Sequence, residues 1–280
     1  MNYSVRITVL IDNFSSRSDV LTEHGLALWI EYNGKNILFD TGQSNAIIKN
    51  AQKLGIDLSK TNVIVLSHGH YDHTGGLSGV LDFARNAQVY LHSDALEAKY
   101  GCKDGMSRYI GMCRESKQRL SEMLKSGRVT YTNNATAICD GAVITGQVSR
   151  KNEYEDTGGE FYNDESCCVI TDTLMDDQSL FFESPKGLVV VCGCAHSGIV
   201  NTLNYISTLT KQNKIYAVIG GMHLVNAGAE RIEKTISTFE KYDIQKIAPM
   251  HCTGDEAVRK MKAFRPEKCL TLGVAGQFCA

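Results

Sequence analysis

The stretch of sequence that decides the fold runs from an apolar segment into a polar loop and reads Val63-Ile64-Val65-Leu66-Ser67-His68-Gly69-His70-Tyr71-Asp72-His73-Thr74-Gly75-Gly76. Its first four residues are continuously apolar, as expected of a strand that is buried on both faces. Three imidazoles and one carboxylate then fall within six residues. Loops at strand ends are where α/β proteins place their functional sites. The stretch therefore predicts a metal site at the end of a buried strand.

The spacing of the four polar side chains fits metal binding. In a near-extended turn, His68 and His70 point the same way, so two ring nitrogens can bind one metal. Asp72 and His73 lie beyond the turn and can serve a second metal, while Gly69 permits a tight backbone. Nitrogen and oxygen ligands suit zinc, with iron or manganese as alternatives, and leave positions open for water. The pattern predicts one or two divalent metal ions.

The bulk properties favour one globular domain spanning residues 1–280. A chain of 280 residues with 43% hydrophobic residues can bury a sizeable core. The formal net charge of -2 disfavours a protein whose affinity comes from binding nucleic-acid phosphates, so we expect a small-molecule substrate. The sequence shows neither a signal peptide nor an apolar run of the ~20 residues that span a bilayer, which predicts a cytoplasmic protein without membrane contact. The composition leaves the oligomeric state open.

The ten cysteines are interpreted as mostly reduced thiols, because the chain is long and shows no export signal. None of them forms a C-x-x-C pair, the spacing typical of a structural zinc site. We therefore expect most of them to act as small buried hydrophobic side chains.

Short apolar runs predict strands in both halves of the chain, with helices between them. Asn33-Gly34 indicates a hairpin between two of the strands. The expected strands are Ile7–Ile11, Leu26–Ile30, Asn36–Phe39, Val63–Leu66, Val89–Leu91, Cys167–Thr171, Leu180–Phe182, Leu188–Cys192, Ile215–Ile219 and Ile244–Ala248. The expected helices are Ser44–Leu54, Ile199–Leu209, Ala229–Tyr242 and Asp255–Phe264. This order predicts an α/β (α+β) fold, in which two sheets are covered by helices on both outer faces.

The middle of the chain, around residues 95–165, has a different character. Ser107–Lys125 is polar and predicts a helix, and Ser149–Asp164 is rich in glycine, asparagine and acidic residues. We expect this region to be an insertion that covers the site rather than a part of the core.

The pattern His-x-His-x-Asp-His after an apolar strand resembles the signature of the metallo-β-lactamase superfamily. Ser67–Leu77, Gly193–Gly198 and His251–Gly254 together resemble one branch of it, named after 7,8-dihydropterin-6-yl-methyl-4-(β-D-ribofuranosyl)aminobenzene 5′-phosphate synthase. The resemblance implies an αββα four-layer sandwich with the metals between the sheet edges. It also implies further metal ligands at the ends of later strands.

Four residues receive roles from this resemblance. His196 and His251 follow later strands and are implied as additional metal ligands. Asp40 matches a residue that supports the ligand histidines without binding metal. His223 also follows a strand and is a candidate ligand, general acid or phosphate-binding group.

One departure from the superfamily pattern leaves the number of metals open. The usual bridging aspartate stands in a Gly-Asp pair after a strand, and the corresponding segment here is Gly193-Cys194-Ala195-His196. Two alternatives follow. Either His196 replaces the bridging carboxylate, or an acid comes from the neighbouring segment that contains Asp172, Asp176 and Asp177.

The resemblance implies a metal-dependent hydrolase that uses a metal-activated water on a small anionic ester, either phosphorylated or pterin-like. Asp72 is expected to orient the nucleophile and His223 to protonate the leaving group. Arg108 and His24 are candidate substrate-binding residues. Two alternatives are a pterin-biosynthesis synthase that forms a bond to an aminobenzene ribotide and a non-catalytic metal-binding protein.

Overall fold

The computed structural model describes residues 4–166 and 169–280. The described strands are β1 (Val5–Ile11), β2 (Ala27–Tyr32), β3 (Lys35–Phe39), β4 (Val63–Val65), β5 (Gln88–Leu91), β6 (Tyr100–Lys103), β7 (Met106–Tyr109), β8 (Val129–Tyr131), β9 (Thr136–Cys139), β10 (Ala142–Ile144), β11 (Phe161–Tyr162), β12 (Ser179–Phe182), β13 (Leu188–Cys192), β14 (Ile215–Gly221), β15 (Lys246–Met250) and β16 (Gln277–Cys279). The described α-helices are α1 (Ala46–Lys53), α2 (Tyr71–Thr74), α3 (Leu77–Phe83), α4 (Arg114–Lys125), α5 (Ile199–Thr210), α6 (Ala229–Lys241) and α7 (Asp255–Phe264).

The first sheet has seven strands in the order β16-β1-β2-β3-β4-β5-β8. Asn33 and Gly34 both have positive φ, 48° and 70°, which is the geometry of the tight hairpin turn expected between β2 and β3. From β3 to β8 the strands pair in parallel, so helices must connect them across one face.

The second sheet has six strands in the order β15-β14-β13-β12-β10-β9. Its strands β13, β14 and β15 are parallel and are connected through α5 and α6. Parallel strands end at the same edge of a sheet, and here that edge carries the loops after β13, β14 and β15.

The core lies in three layers, as an αββα sandwich requires. Side chains such as Leu28 and Phe39 of the first sheet pack against Phe182 and Val191 of the second. A second cluster lies between the first sheet and α1, α3 and α4, and a third between the second sheet and α5, α6 and α7. The expected four-layer sandwich is confirmed.

The expected insertion is smaller than residues 95–165. Leu120 and Met123 of α4 are buried in the first outer core, β8 extends the first sheet, and β9 and β10 extend the second. Ser107–Lys125 is not one helix, because Met106–Tyr109 pairs with β6 as strand β7. The Asp104-Gly105 turn explains this, since both residues have positive φ and favour a hairpin. The remaining insertion is a three-stranded sheet, β11-β6-β7, with the loops around it.

Two further boundaries differ from the prediction. Of the expected strand Cys167–Thr171, residues 167 and 168 lie outside the described residues, residues 169 and 170 bend, and Thr171 forms one isolated bridge with Tyr162. The last core strand begins at Lys246 instead of Ile244, because Asp243 has φ 48° and the turn after α6 extends past it. Across residues 4–166 and 169–280, every helix is too short or too polar to cross a membrane.

Candidate metal centre

The loop after β4 brings its polar side chains into the interior. His68 and His73 have no solvent exposure, and His70 and Asp72 have 5% and 6%. The chain turns at Gly69, where a Cβ atom would overlap the Ala95 carbonyl oxygen, so only glycine fits. Helix α2 starts directly after His70 and directs Asp72 and His73 to the same side.

Two ring nitrogens of this loop lie within hydrogen-bond distance of each other. His68 Nε2 and His70 Nδ1 are 3.0 Å apart. The ring of His196, from the loop after β13, lies 4.9 Å from His68 and 5.1 Å from His70 between centroids. His196 Nδ1 donates to the Thr157 carbonyl at 2.7 Å, and its Nε2 is buried without a hydrogen-bond partner in the described part of the chain. The rings of His68, His70 and His196 therefore lie side by side and form a first group.

A second group forms beside the first. His73 Nε2 lies 3.2 Å from Nε2 of His251, which follows β15. Asp72 Oδ2 lies 3.3 Å from His251 Nε2 and 3.2 Å from His24 Nε2. Three elements that are distant in sequence thus contribute donor atoms to one place.

Asp40 lies behind this second group. Its Oδ2 accepts hydrogen bonds from His73 Nδ1 and Ser67 Oγ, both at 2.7 Å, and its Oδ1 accepts one from the Ser67 amide. Because Nδ1 of His73 is the donor to Asp40, Nε2 is the nitrogen that faces the group. Ser67 Oγ also lies 2.9 Å from His68 Nδ1, which orients that ring in the same way.

The protonation preferences of the histidines differ. Burial lowers the pKa of His68 and His196 well below the usual value and that of His70 to about 3, so these rings are neutral and can offer lone pairs. Burial also opposes the charge on His73, but Asp40 and Asp72 outweigh it and raise the pKa of His73 to about 9. Without a bound cation, His73 is therefore protonated, and its positive charge lies where Asp40 and Asp72 favour one.

His223 lies at the far side of the first group. Its ring centroid is 4.3 Å from that of His196, and its Nδ1 is buried without a hydrogen-bond partner among the described residues. A Cβ atom at Gly158 would overlap the His223 ring, so the chain around Gly158 covers this histidine closely. Several residues at the site adopt the left-handed backbone that is costly without glycine: Asp40 (φ 58°), Ala195 (φ 54°), His223 (φ 42°) and His251 (φ 50°).

Residues 150–161, which we call the strap, hold the His196 loop from outside. Besides the Thr157 contact, Arg150 donates to the His196 carbonyl at 3.0 Å. Glu155 accepts from two amides at the start of α5, and Asp156 pairs with Arg231 of α6. The Phe161 ring packs 5.0 Å from His70 and 5.3 Å from His196. The strap thus covers the first group of histidines.

The two expected substrate-binding residues lie at the rim. The His24 side chain is 54% exposed, contacts Asp72 directly, and lies beside His251 with 4.8 Å between ring centroids. Arg108 is exposed, and its guanidinium lies 5.1 Å from the centre of the Tyr71 ring. Seven of the eight histidines are thus joined by ring contacts or hydrogen bonds. The eighth, His92, is elsewhere, where its Nδ1 accepts from the Asp94 amide.

The sequence prediction missed two cysteines. Cys194 Sγ lies 3.2 Å from His73 Nε2, and Cys252 Sγ lies 3.8 Å from the Cys194 carbonyl oxygen. Four groups of possible metal ligands occur among the described residues, each with its donor atoms within 4.8 Å of one another: His68-Cys194-His196, His73-Cys194-His251, Cys194-His223-Cys252 and His24-Asp72-His251. The signal was present, because Gly193-Cys194 stands where the superfamily pattern has Gly-Asp. The general interpretation of the cysteines as hydrophobic side chains concealed it.

The three aspartates considered as replacements for the bridging carboxylate are engaged elsewhere. Asp172 and Asp176 accept from the buried Lys99 Nζ at 2.8 and 2.9 Å. Asp176 also accepts from the Gly69 amide at 2.7 Å, and Asp177 Oδ2 accepts from the Ser197 amide at 2.9 Å, while Asp177 Oδ1 is buried without a hydrogen-bond partner among the described residues. Asp176 and Asp177 therefore hold the loops that carry His68 and His196, and Asp172 holds Lys99 beside them.

Comparisons with known proteins agree on one family. The model of the metallo-β-lactamase superfamily matches residues 22–122. A relative from Methanocaldococcus jannaschii, a 7,8-dihydropterin-6-methyl-4-(β-D-ribofuranosyl)-aminobenzene-5′-phosphate synthase, is 31% identical over 265 residues, which cover 91% of this chain and 89% of the relative. A second, uncharacterised protein of the same archaeon is 34% identical over 261 residues, which cover 91% and 93% of the two chains. The solved structure of a metal-dependent hydrolase of the β-lactamase superfamily superposes with a TM-score of 0.81 at 30% identity and covers 98% of both chains.

Proposed function

The chain belongs to the metallo-β-lactamase superfamily, and from this premise we propose that it is a metal-dependent hydrolase of a small anionic ester. One observation carries the proposal. Two groups of buried imidazole and carboxylate donors converge at adjacent points between the sheet edges, and each ring is oriented by a hydrogen bond or by packing from behind. Members of this superfamily typically bind divalent metals such as zinc, and this donor set suits such ions.

The residues present fit two metal positions. In the first, His68 Nε2 and His70 Nδ1 already lie 3.0 Å apart, and the unpartnered His196 Nε2 completes a set of three nitrogens. In the second, the donors are Asp72, His73 and His251. Zinc is the ion that we favour for this set, with iron or manganese as alternatives.

A bound divalent metal would supply Lewis acidity and lower the pKa of a water molecule towards neutrality. The chain's own residues position the reaction. Asp72 lies between His24 and His251 and orients the nucleophile. Asp40 fixes the His73 ring and the Thr157 carbonyl fixes the His196 ring, which is the support that ligand histidines need. His223, half-buried beside His196, delivers a proton to the leaving group.

The rim suggests where the substrate binds. A cleft of about 460 Å³ opens beside His251, and its charged lining residues are Lys262, Asp12 and Asp255. His24 stands at the exposed edge of the centre, and Arg108 stands beyond Tyr71. The His24 and Arg108 side chains favour a small substrate with an anionic part, because a cation and a ring N–H donor can bind the oxygens of such a substrate without a long basic surface.

A second function is favoured by one comparison. The archaeal relative at 31% identity is named as a synthase, so a bond-forming reaction between a pterin diphosphate and an aminobenzene ribotide is the alternative. Both reactions would use the same donors. They differ in the product, so incubation with the two synthase substrates followed by mass spectrometry discriminates them. A condensation product would replace the hydrolase proposal, and hydrolysis without condensation would support it.

The experiment that tests the hydrolase has two parts. Elemental analysis of the purified full chain gives the metal and its stoichiometry, and a panel of phosphomonoester, phosphodiester, lactone and thioester substrates is then assayed with that metal. We expect His70→Ala to lose bound metal and hydrolysis together. His92→Ala is the matched control, because His92 is also buried but contacts none of the other seven rings in the structure as described. Full retention of metal and activity in His70→Ala would refute the proposal.

A further inference from the structure

We propose that Cys194 is a thiolate ligand common to both metal positions and that Cys252 is the thiol that holds it in place. This inference rests on the proposed metal-dependent function and adds a ligand to it. The consequence is a centre with sulfur in its donor set, in the place where the superfamily pattern has an aspartate.

The position of the Cys194 sulfur carries the inference. Cys194 is 2% exposed, and its Sγ lies 3.2 Å from His73 Nε2. It belongs both to the group with His68 and His196 and to the group with His73 and His251, with all donor atoms of each group within 4.8 Å. A side chain shared by the two groups lies between them. The buried and unpartnered Nε2 of His196 independently marks the same place as a site for a cation.

The backbone fixes this sulfur where it is. A Cβ atom at Gly193 would overlap the Ser67 side chain, so the loop after β13 presses directly against the loop after β4. Ala195 has φ 54°, an unfavourable conformation that reverses the chain between Cys194 and His196. Both side chains therefore face the same group of histidines. The strain indicates that the positions of the two side chains are held by the fold.

Asp72, the carboxylate of the second group, is grouped with His24 and His251 and not with Cys194 among residues 4–166 and 169–280. Asp172 and Asp176 pair with Lys99, and Asp177 accepts from the Ser197 amide. None of the three occurs in the groups of possible ligands found in the described chain. Of the two alternatives left by the sequence, neither supplies a shared ligand, whereas Cys194 does.

Cys252 acts through Cys194. It is buried, its Sγ lies 3.8 Å from the Cys194 carbonyl oxygen, and it groups with Cys194 and His223. A Cβ atom at Gly221 would come close to Cys252 Sγ, at 2.7 Å, so the sulfur has little room to move. Cys252 is therefore a positioning residue.

The chemistry of the step is simple and balanced. The cation replaces the Cys194 thiol proton, a metal–sulfur bond forms, and one proton passes to solvent. Thiolate ligands favour zinc, cobalt and cadmium over magnesium or calcium, so the centre should select thiophilic ions.

The test uses Co²⁺ added to the metal-free full chain, because cobalt bound to thiolate gives a near-ultraviolet charge-transfer band that nitrogen and oxygen ligands do not give. We expect the wild type to show the band. Cys194→Ser should lose it and bind Co²⁺ more than about 100-fold more weakly, since even outer partners of a ligand contribute about 10- to 100-fold. Cys252→Ser should keep the band with about 10-fold weaker binding. Cys192→Ala is the matched control, because this buried cysteine packs in the helix-side core and should change neither measurement.

The outcomes separate this inference from the proposed function. Co²⁺ binding by the wild type without the band, persistence of the band in Cys194→Ser, or its loss in Cys252→Ser would each overturn the role of Cys194 and leave a metal enzyme intact. Absence of any metal binding would overturn the proposed function as well. Should Cys194→Ser fail to fold by circular dichroism, Cys194→Asp restores the usual carboxylate, and it should bind Co²⁺ without the band.

Discussion

Replacing Lys99 by methionine should cost this protein a large part of its stability. Lys99 is 1% exposed, and its ammonium contacts Asp172 and Asp176 at 2.8 and 2.9 Å. Methionine keeps most of the volume and removes the charge, so two carboxylates remain buried without their cation. Breaking a buried ion pair in this way costs about 3–5 kcal/mol, which is a substantial fraction of the 5–15 kcal/mol that typically stabilises a domain.

Equilibrium urea unfolding of the metal-free chain at pH 7 measures this loss. The exposed pair of Arg6 with Glu31 supplies the control, because Arg6→Met should change the free energy of unfolding much less than Lys99→Met does. A second variant, Lys99→Met with Asp172→Asn and Asp176→Asn, should recover part of the loss at pH 7. A loss below about 1 kcal/mol in the single variant would refute the reasoning.

Three further predictions follow from the same structure. Burial raises the pKa of Asp12 from 3.8 to about 6. The charge on Asp12 therefore destabilises the metal-free fold by about 3 kcal/mol above pH 6 and not below pH 3.8. Asp12→Asn should raise the melting temperature at pH 8 but not at pH 3.5, and equal effects at both pH values would contradict this. Gly69→Ala should place a methyl group against the Ala95 carbonyl oxygen, lower the free energy of unfolding by about 1–3 kcal/mol and reduce the amount of bound metal. Gly228→Ala is the control, because a Cβ atom there meets open space, and it should leave the amount of bound metal unchanged. Chelation should lower the melting temperature by an amount that increases with the metal concentration beforehand, as expected for an ion that binds only the folded chain; a midpoint indifferent to metal would contradict it.

The parts of the fold that could be predicted from the sequence are those that local patterns determine. The apolar run before His68 and the Asn33-Gly34 turn each lie within a few residues, and the structure has both of these elements. The extent of the insertion depended on tertiary contacts, because α4 is polar on average and only its packing of Leu120 and Met123 shows that it belongs to the core.

The candidate site divides in the same way. The His68–His73 segment is contiguous, so its chemistry could be predicted directly. The Lys99 pairs could not, because their partners are 73 and 77 residues away in sequence. Cys194, whose partner His73 is 121 residues away, was indicated only by its place in the superfamily pattern. In sequence a buried thiol cannot be distinguished from a small hydrophobic side chain. Only the structure shows that the Cys194 sulfur lies 3.2 Å from His73 Nε2.

The strap over the first group of histidines makes two properties of the protein inseparable. Its Thr157 carbonyl orients His196, while its Asp156 and Glu155 are tied to α6 and α5. Under the proposed function, thermodynamic reciprocity then applies: a change that moves the strap towards the histidines would tighten metal binding, and a bound metal would in turn make the strap more ordered. A substrate that displaces the strap would therefore weaken the binding of the metal on which the proposed reaction of that substrate depends. Selection for new substrates through changes in residues 150–161 would therefore also be selection on cofactor retention, and the two traits would evolve together.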